Sequence, residues 1–85
     1  MYNLLIKRQA KKKLQSLPVR DRTRIAGQIQ ILGNDPDDKR LDLKKMKGQF
    51  NFRLRVGQWR VIFERDDDVR IISIEKIGAR GDVYK

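Results

Sequence analysis

The sequence has no histidine and no cysteine, only two prolines, and one Trp, two Tyr and three Phe as its aromatics. Without cysteine there is no disulfide framework and no thiolate metal ligand. Without histidine as well, the usual donor set of a zinc site is missing. The same two absences remove the side chains most used as general base and nucleophile near neutral pH. No apolar run approaches the roughly 18 residues that a membrane span needs. Leu4-Leu5-Ile6 is too short for a signal-peptide core, and Lys7 and Arg8 follow it. The chain therefore reads as cytoplasmic and without a membrane segment. No glycine-rich phosphate loop and no paired carboxylates stand out. Asp66-Asp67-Asp68 reads as a hairpin turn, and neither a metal nor a cofactor is expected.

What is abundant is positive charge. Lys and Arg number 21 against 11 Asp and Glu, a formal net charge of +10 on 85 residues. Such an excess in so short a chain points to a polyanion, with nucleic acid first. Any chemistry must draw on Arg, Lys, Tyr and a few carboxylates, a set that suits phosphate groups. The length fits one domain over residues 1–85. A domain of this size buries only about 60–65% of its unfolded surface, so a site on it should be an open groove or a sheet face.

The periodicities order the elements. Tyr2, Leu4 and Ile6 alternate as a first strand. Ala10, Leu14 and Leu17 then mark a helix whose outer face is Lys7, Arg8, Lys11, Lys12 and Lys13. Pro18 ends it and opens the next helix, which carries the stripe Ile25, Ile29, Leu32. Gly33 is expected to close that helix in a left-handed conformation, before Pro36. Leu43 to Gly48 reads as a short extended or irregular piece. Strands are expected at Asn51–Val56, Trp59–Glu64 and Val69–Ile77.

Gly57-Gln58 suits a two-residue type II′ turn. That register puts Val56 opposite Trp59, Leu54 opposite Val61 and Phe52 opposite Phe63, all on one apolar face. Arg55 then faces Arg60 on the other side, beside Arg53 and Asn51. A three-residue loop of Asp66-Asp67-Asp68 is expected next, pairing Phe63 with Ile71 and Glu64 with Arg70. Ile62, Ile72 and Ile74 would lie beside the arginines. Like charges directly across a sheet cost up to about 1 kcal/mol. An anion bound between Arg53, Arg55 and Arg60 reverses the sign, because the guanidinium fork matches phosphate oxygens.

Two further groups are candidates. Arg80 and Tyr84 close the chain, and cations near Tyr84 would make it a base toward a ribose hydroxyl or a stacking platform. Equally, Tyr84 could only pin the tail. Lys44, Lys45 and Lys47 either hold a nucleic-acid backbone or are simply solvated.

The segments Leu14-Gln15-Ser16-Leu17-Pro18, Asp42 to Gly48, Phe52 to Phe63 and Ile77 to Tyr84 resemble, in order, those of the RelE/ParE superfamily of toxins. The resemblance implies an α+β fold with a helical hairpin on one face of a twisted, mainly antiparallel sheet, in the order β-α-α-β-β-β. It implies a metal-independent endoribonuclease that cuts mRNA in the ribosomal A site. The partners would be mRNA, the ribosome and a cognate antitoxin, with a monomer alone and a hetero-oligomer with antitoxin. ParE-type relatives instead inhibit DNA gyrase, and a weakened RNA-binding relative is a third reading. Arg60 matches the arginine that stabilises the phosphate in the transition state. Arg80 matches a phosphate ligand or proton donor, and Tyr84 the tyrosine that orients or deprotonates the nucleophile. Arg53 and Asn51 stand where lysines occur in such proteins, with Arg55, Lys44, Lys45 and Lys47 as further RNA contacts. Ala79 departs from the pattern, since many relatives carry His there.

Overall fold

The apolar stripes of the sequence become the buried faces of two helices, α1 (Arg8–Ser16) and α2 (Val19–Asn34). The structure is a computed structural model that describes residues 1–46 and 51–79. Ala10, Leu17, Ile25, Ile29 and Leu32 are all buried. Leu17 and Pro18 join the helices, and the Arg22 N–H donates to the Pro18 carbonyl at 2.9 Å to start α2. At its end the Asp35 N–H donates to the Ile31 carbonyl, and Pro36 blocks another turn.

Five strands follow the order β1-β5-β4-β3-β2: β1 (Asn3–Ile6), β2 (Asp42–Lys45), β3 (Asn51–Val56), β4 (Trp59–Asp66) and β5 (Ile71–Ala79). β1 runs parallel to β5 and every other pair is antiparallel. The chain leaves one edge of the sheet, crosses in the two helices, and returns at the opposite edge. The expected α+β architecture holds. The extended piece after Leu41 is itself a strand, the edge strand β2.

The core lies between helices and sheet. Leu54, Val56, Val61, Phe63, Ile72, Ile74 and Ile77 pack in one cluster with the helix residues. Burying an aliphatic or Phe side chain of this kind is worth about 1.5–3 kcal/mol. Phe52 and Phe63 stack with ring centroids 5.5 Å apart and planes 18° from parallel.

The β3–β4 register matches the sequence reading, with Val56 on Trp59, Arg55 on Arg60, Leu54 on Val61 and Phe52 on Phe63. Gly57 has φ +60° while Gln58 does not enter the positive region, as a type II′ turn requires.

The β4–β5 register differs from the expectation by three residues. Phe63 pairs with Ile74 and Glu64 with Ser73, not with Ile71 and Arg70. β4 runs on to Asp66, and the turn is Asp67–Arg70, with Arg70 at φ +55°. Asp66 shapes it by accepting from the N–H groups of Asp68 and Val69. A β-bulge between Ile62 and Phe63 then leaves Glu75 as the extra residue of β5. Ile72 and Ile74 therefore face the helices rather than the arginines.

Gly33 is also placed differently. It lies inside α2 without a positive φ. A Cβ there would sit 2.9 Å from Leu4 Cδ1, so the glycine lets β1 approach the helix.

Candidate nucleic-acid interface

The alternation of each strand sorts the side chains between the two faces of the sheet. On the face away from the helices, Asn51, Arg53 and Arg55 project from β3. Arg60 and Ile62 project from β4, and Lys44 from β2 beside Arg53. Lys76 of β5 stands opposite Ile62 on the same face. The row Lys44, Arg53, Ile62, Lys76 thus crosses four strands, and the next row carries Asp42, Arg55, Arg60 and Gly78.

The expected cluster of Arg53, Arg55 and Arg60 is assembled, and Asn51 and Lys44 join it. Lys45 pairs with Phe52, which puts it on the helix side at the sheet edge. Lys47, Arg80 and Tyr84 lie outside the described residues. Ala79 pairs with Trp59 and so falls on the helix side, away from Arg60. Lys76 is not among the expected site residues, although the alternation expected to place Ile72 and Ile74 beside the arginines puts Lys76 on the same face.

The electrostatics are uneven across the molecule. Among the described residues the ion pairs are Lys7–Glu75, Arg40–Asp38, Arg65–Asp37 and Arg65–Asp67. None involves Arg55, Arg60, Lys44 or Lys76. The carboxylates gather around the Asp67–Arg70 turn and the loop after α2. There Arg65 binds Asp67 at 2.6 Å and Asp37 at 3.1 Å, and the Tyr2 hydroxyl donates to Asp67 at 2.9 Å. Hydrogen bonds from Arg65 and Tyr2 hold the Asp67 carboxyl below its ordinary range. The Arg40 side chain and its N–H hold Asp38 down to about 2.

On the arginine face the Arg60 guanidinium donates to the Trp59 carbonyl at 3.3 Å, which holds one side of its fork against the strand. Ile62 is buried on this face yet stands outside the main core cluster. No group of His, Cys, Asp and Glu suited to a metal occurs among the described residues. None of their helices is long and apolar enough to cross a membrane. The arrangement offers fixed cations on a shallow surface, which bind an extended anion rather than enclose a small molecule.

Comparison with known proteins places the chain in a family. The chain is 34% identical over 86 residues to a Methanocaldococcus jannaschii protein named "Putative toxin RelE1", covering 99% of this chain and 96% of the relative. The chain belongs to the RelE toxin family. RelE in a RelE–RelB complex from Pyrococcus horikoshii superposes with a TM-score of 0.82 at 32% identity, over 95% of this chain and 97% of that one. The RelB–RelE antitoxin–toxin complex from Methanococcus jannaschii gives 0.77 at 30% identity, over 95% of both chains. No family model matches the sequence.

Proposed function

We propose that this RelE-family toxin is a ribosome-dependent endoribonuclease, held inactive by a cognate antitoxin and acting in the cytoplasm on mRNA in the ribosomal A site. The observation that carries the reading is the arginine face. Arg55 and Arg60 stand opposite each other with no ion pair among the described residues, beside Arg53, in a protein with no histidine. Cations placed where charge develops on phosphorus stabilise the transition state of phosphodiester cleavage.

In this reading the ribose 2′-oxygen attacks the adjacent phosphorus and loses its proton to Tyr84. The bond from phosphorus to the 5′-oxygen breaks, and Arg80 gives that oxygen a proton. The products are a 2′,3′-cyclic phosphate and a 5′-hydroxyl. Arg60 faces the charged phosphorane, with Arg53 beside it. Asn51, Arg55, Lys44 and Lys47 hold the strand, and Lys45, on the helix side of the sheet, has no part in it. With so few catalytic groups, the ribosome supplies the alignment of the reacting atoms.

The test is induction of the protein in growing cells, with mRNA ends mapped on ribosomes and plasmid supercoiling measured in the same culture. Codon-phased cuts that vanish in Arg60→Ala and in Tyr84→Phe are expected. Relaxed plasmid with intact mRNA would instead identify a gyrase inhibitor.

A further inference from the structure

Beyond the arginine face, at the end of the β3–β4 hairpin, a cavity of about 220 Å³ is lined by Arg24, Gln28, Arg40, Arg55, Val56 and Gly57. Its three arginines come from separate segments: α2, the loop before β2, and β3. Arg24 and Gln28 lie one turn apart on α2 and so share a face. Arg40 is held by Asp38, with Nε 3.1 Å from Oδ1 and Nη2 2.9 Å from Oδ2. Neither Arg24 nor Arg55 forms an ion pair among the described residues, although Asp42 stands opposite Arg55 in the sheet. Gly57 lets the turn close against this group: a Cβ there would meet Arg24 Nη1 at 3.3 Å.

We propose that this cavity is a second phosphate subsite, which takes a backbone phosphate of single-stranded RNA whose neighbouring nucleotides lie on the arginine face. Arg40 is already paired with Asp38, whereas Arg24 and Arg55 form no ion pair among the described residues, and a phosphodiester between those two gains their attraction while matching the fork geometry. Arg55 belongs to both surfaces. The strand therefore runs along Lys44, Arg53 and Arg55 and turns over the hairpin end to Arg24. The inference concerns binding and stands whether or not the bound strand is cut.

The test uses the full chain and an uncleavable 2′-O-methyl RNA decamer, with affinity measured by fluorescence anisotropy across a salt series. Arg24→Gln should weaken binding by about 3- to 10-fold and reduce the magnitude of the salt slope by about 0.7, the value for one phosphate contact on a single strand. Gln28→Glu places a carboxylate among the arginines, and should weaken binding at least as much while the melting temperature holds or rises. Lys12→Gln removes the same charge from the exposed face of α1 and is the reference. The proposal is overturned if Arg24→Gln and Lys12→Gln behave alike, or if the unaltered protein does not bind the decamer at low salt. It is equally overturned if Arg24→Gln weakens only the complex with antitoxin, which would assign the cavity to an acidic protein side chain.

Discussion

Arg55 and Arg60 are directly opposed across β3 and β4, two guanidinium-bearing residues on neighbouring strands that form no ion pair among the described residues. Their repulsion is a standing cost to the fold, and relieving it should be measurable. Arg55→Thr puts a good strand former at an exposed position. Asp42 opposite Arg55 on β2 offsets part of the gain, so unfolding stability in urea is expected to rise by only a few tenths of a kcal/mol. The same change should reduce cleavage of ribosome-bound mRNA. Loss of stability together with loss of activity would contradict the account of this pair.

Arg60→Lys separates charge from shape. Lysine keeps the cation but not the planar fork that binds two oxygens at once. Toxin binding to the ribosome should change by less than about threefold, whereas single-turnover cleavage should fall by about 10²-fold, the scale of losing one aligned donor. Equal losses in both measurements would mean that Arg60 contributes only to docking.

Two glycines of α2 predict opposite outcomes for the same substitution. Gly27 has nothing within 4 Å of an added Cβ, so Gly27→Ala should stabilise the protein by about 0.5–1 kcal/mol through helix propensity alone. At Gly33 the added methyl meets Leu4 at 2.9 Å. Gly33→Ala should therefore lose that gain, and Gly33→Val should lower the melting temperature. Thermal unfolding of the three variants checks the contrast.

The acid sensitivity follows from Asp38 and Asp67. Both carboxyls titrate below the ordinary range in the folded protein, Asp38 at about 2. A carboxyl with a lowered folded pKa stabilises above the unfolded value of about 3.9, and that stabilisation is lost as pH falls through the folded value. Asp38→Asn should lower the melting temperature at pH 6, and the two melting curves should converge near pH 2. A difference that stayed constant over this window would show that Asp38 acts by some means other than its charge.

The hairpin of β3 and β4 was readable because Gly57 fixes the turn and strict alternation fixes the faces. The helix stripes were readable for the same kind of reason, since Ala10, Ile25, Ile29 and Leu32 repeat at helical spacing. The last strand was not. Three successive aspartates leave the turn length open, and with it the pairing of Phe63. The structure answers that difficulty with a longer β4 and a bulge, neither of which leaves a local mark in the sequence. At the candidate site, Arg53, Arg55 and Arg60 came from the readable hairpin. Lys76 was legible in the expected alternation as well, and the bulge keeps it on that face while Ile72 and Ile74 turn to the helices. Arg24 and Arg40 reach Arg55 only through tertiary packing, which no spacing along the chain encodes.

The extra residue at Glu75 sets the phase of everything that follows it in β5. Ile72 and Ile74 face the helices two residues apart, and Ile77 does so after a step of three. A strand of the same length without the bulge would carry Lys76 into the core and Ile77 among the arginines. The segment from Lys76 to Ala79 would be inverted while the first half of the strand stayed in place. Deleting Glu75 should therefore straighten the strand and leave Lys76 and Ile77 on their present faces, so the loss of that one residue should be tolerated where a loss of the bulge at constant length would not be.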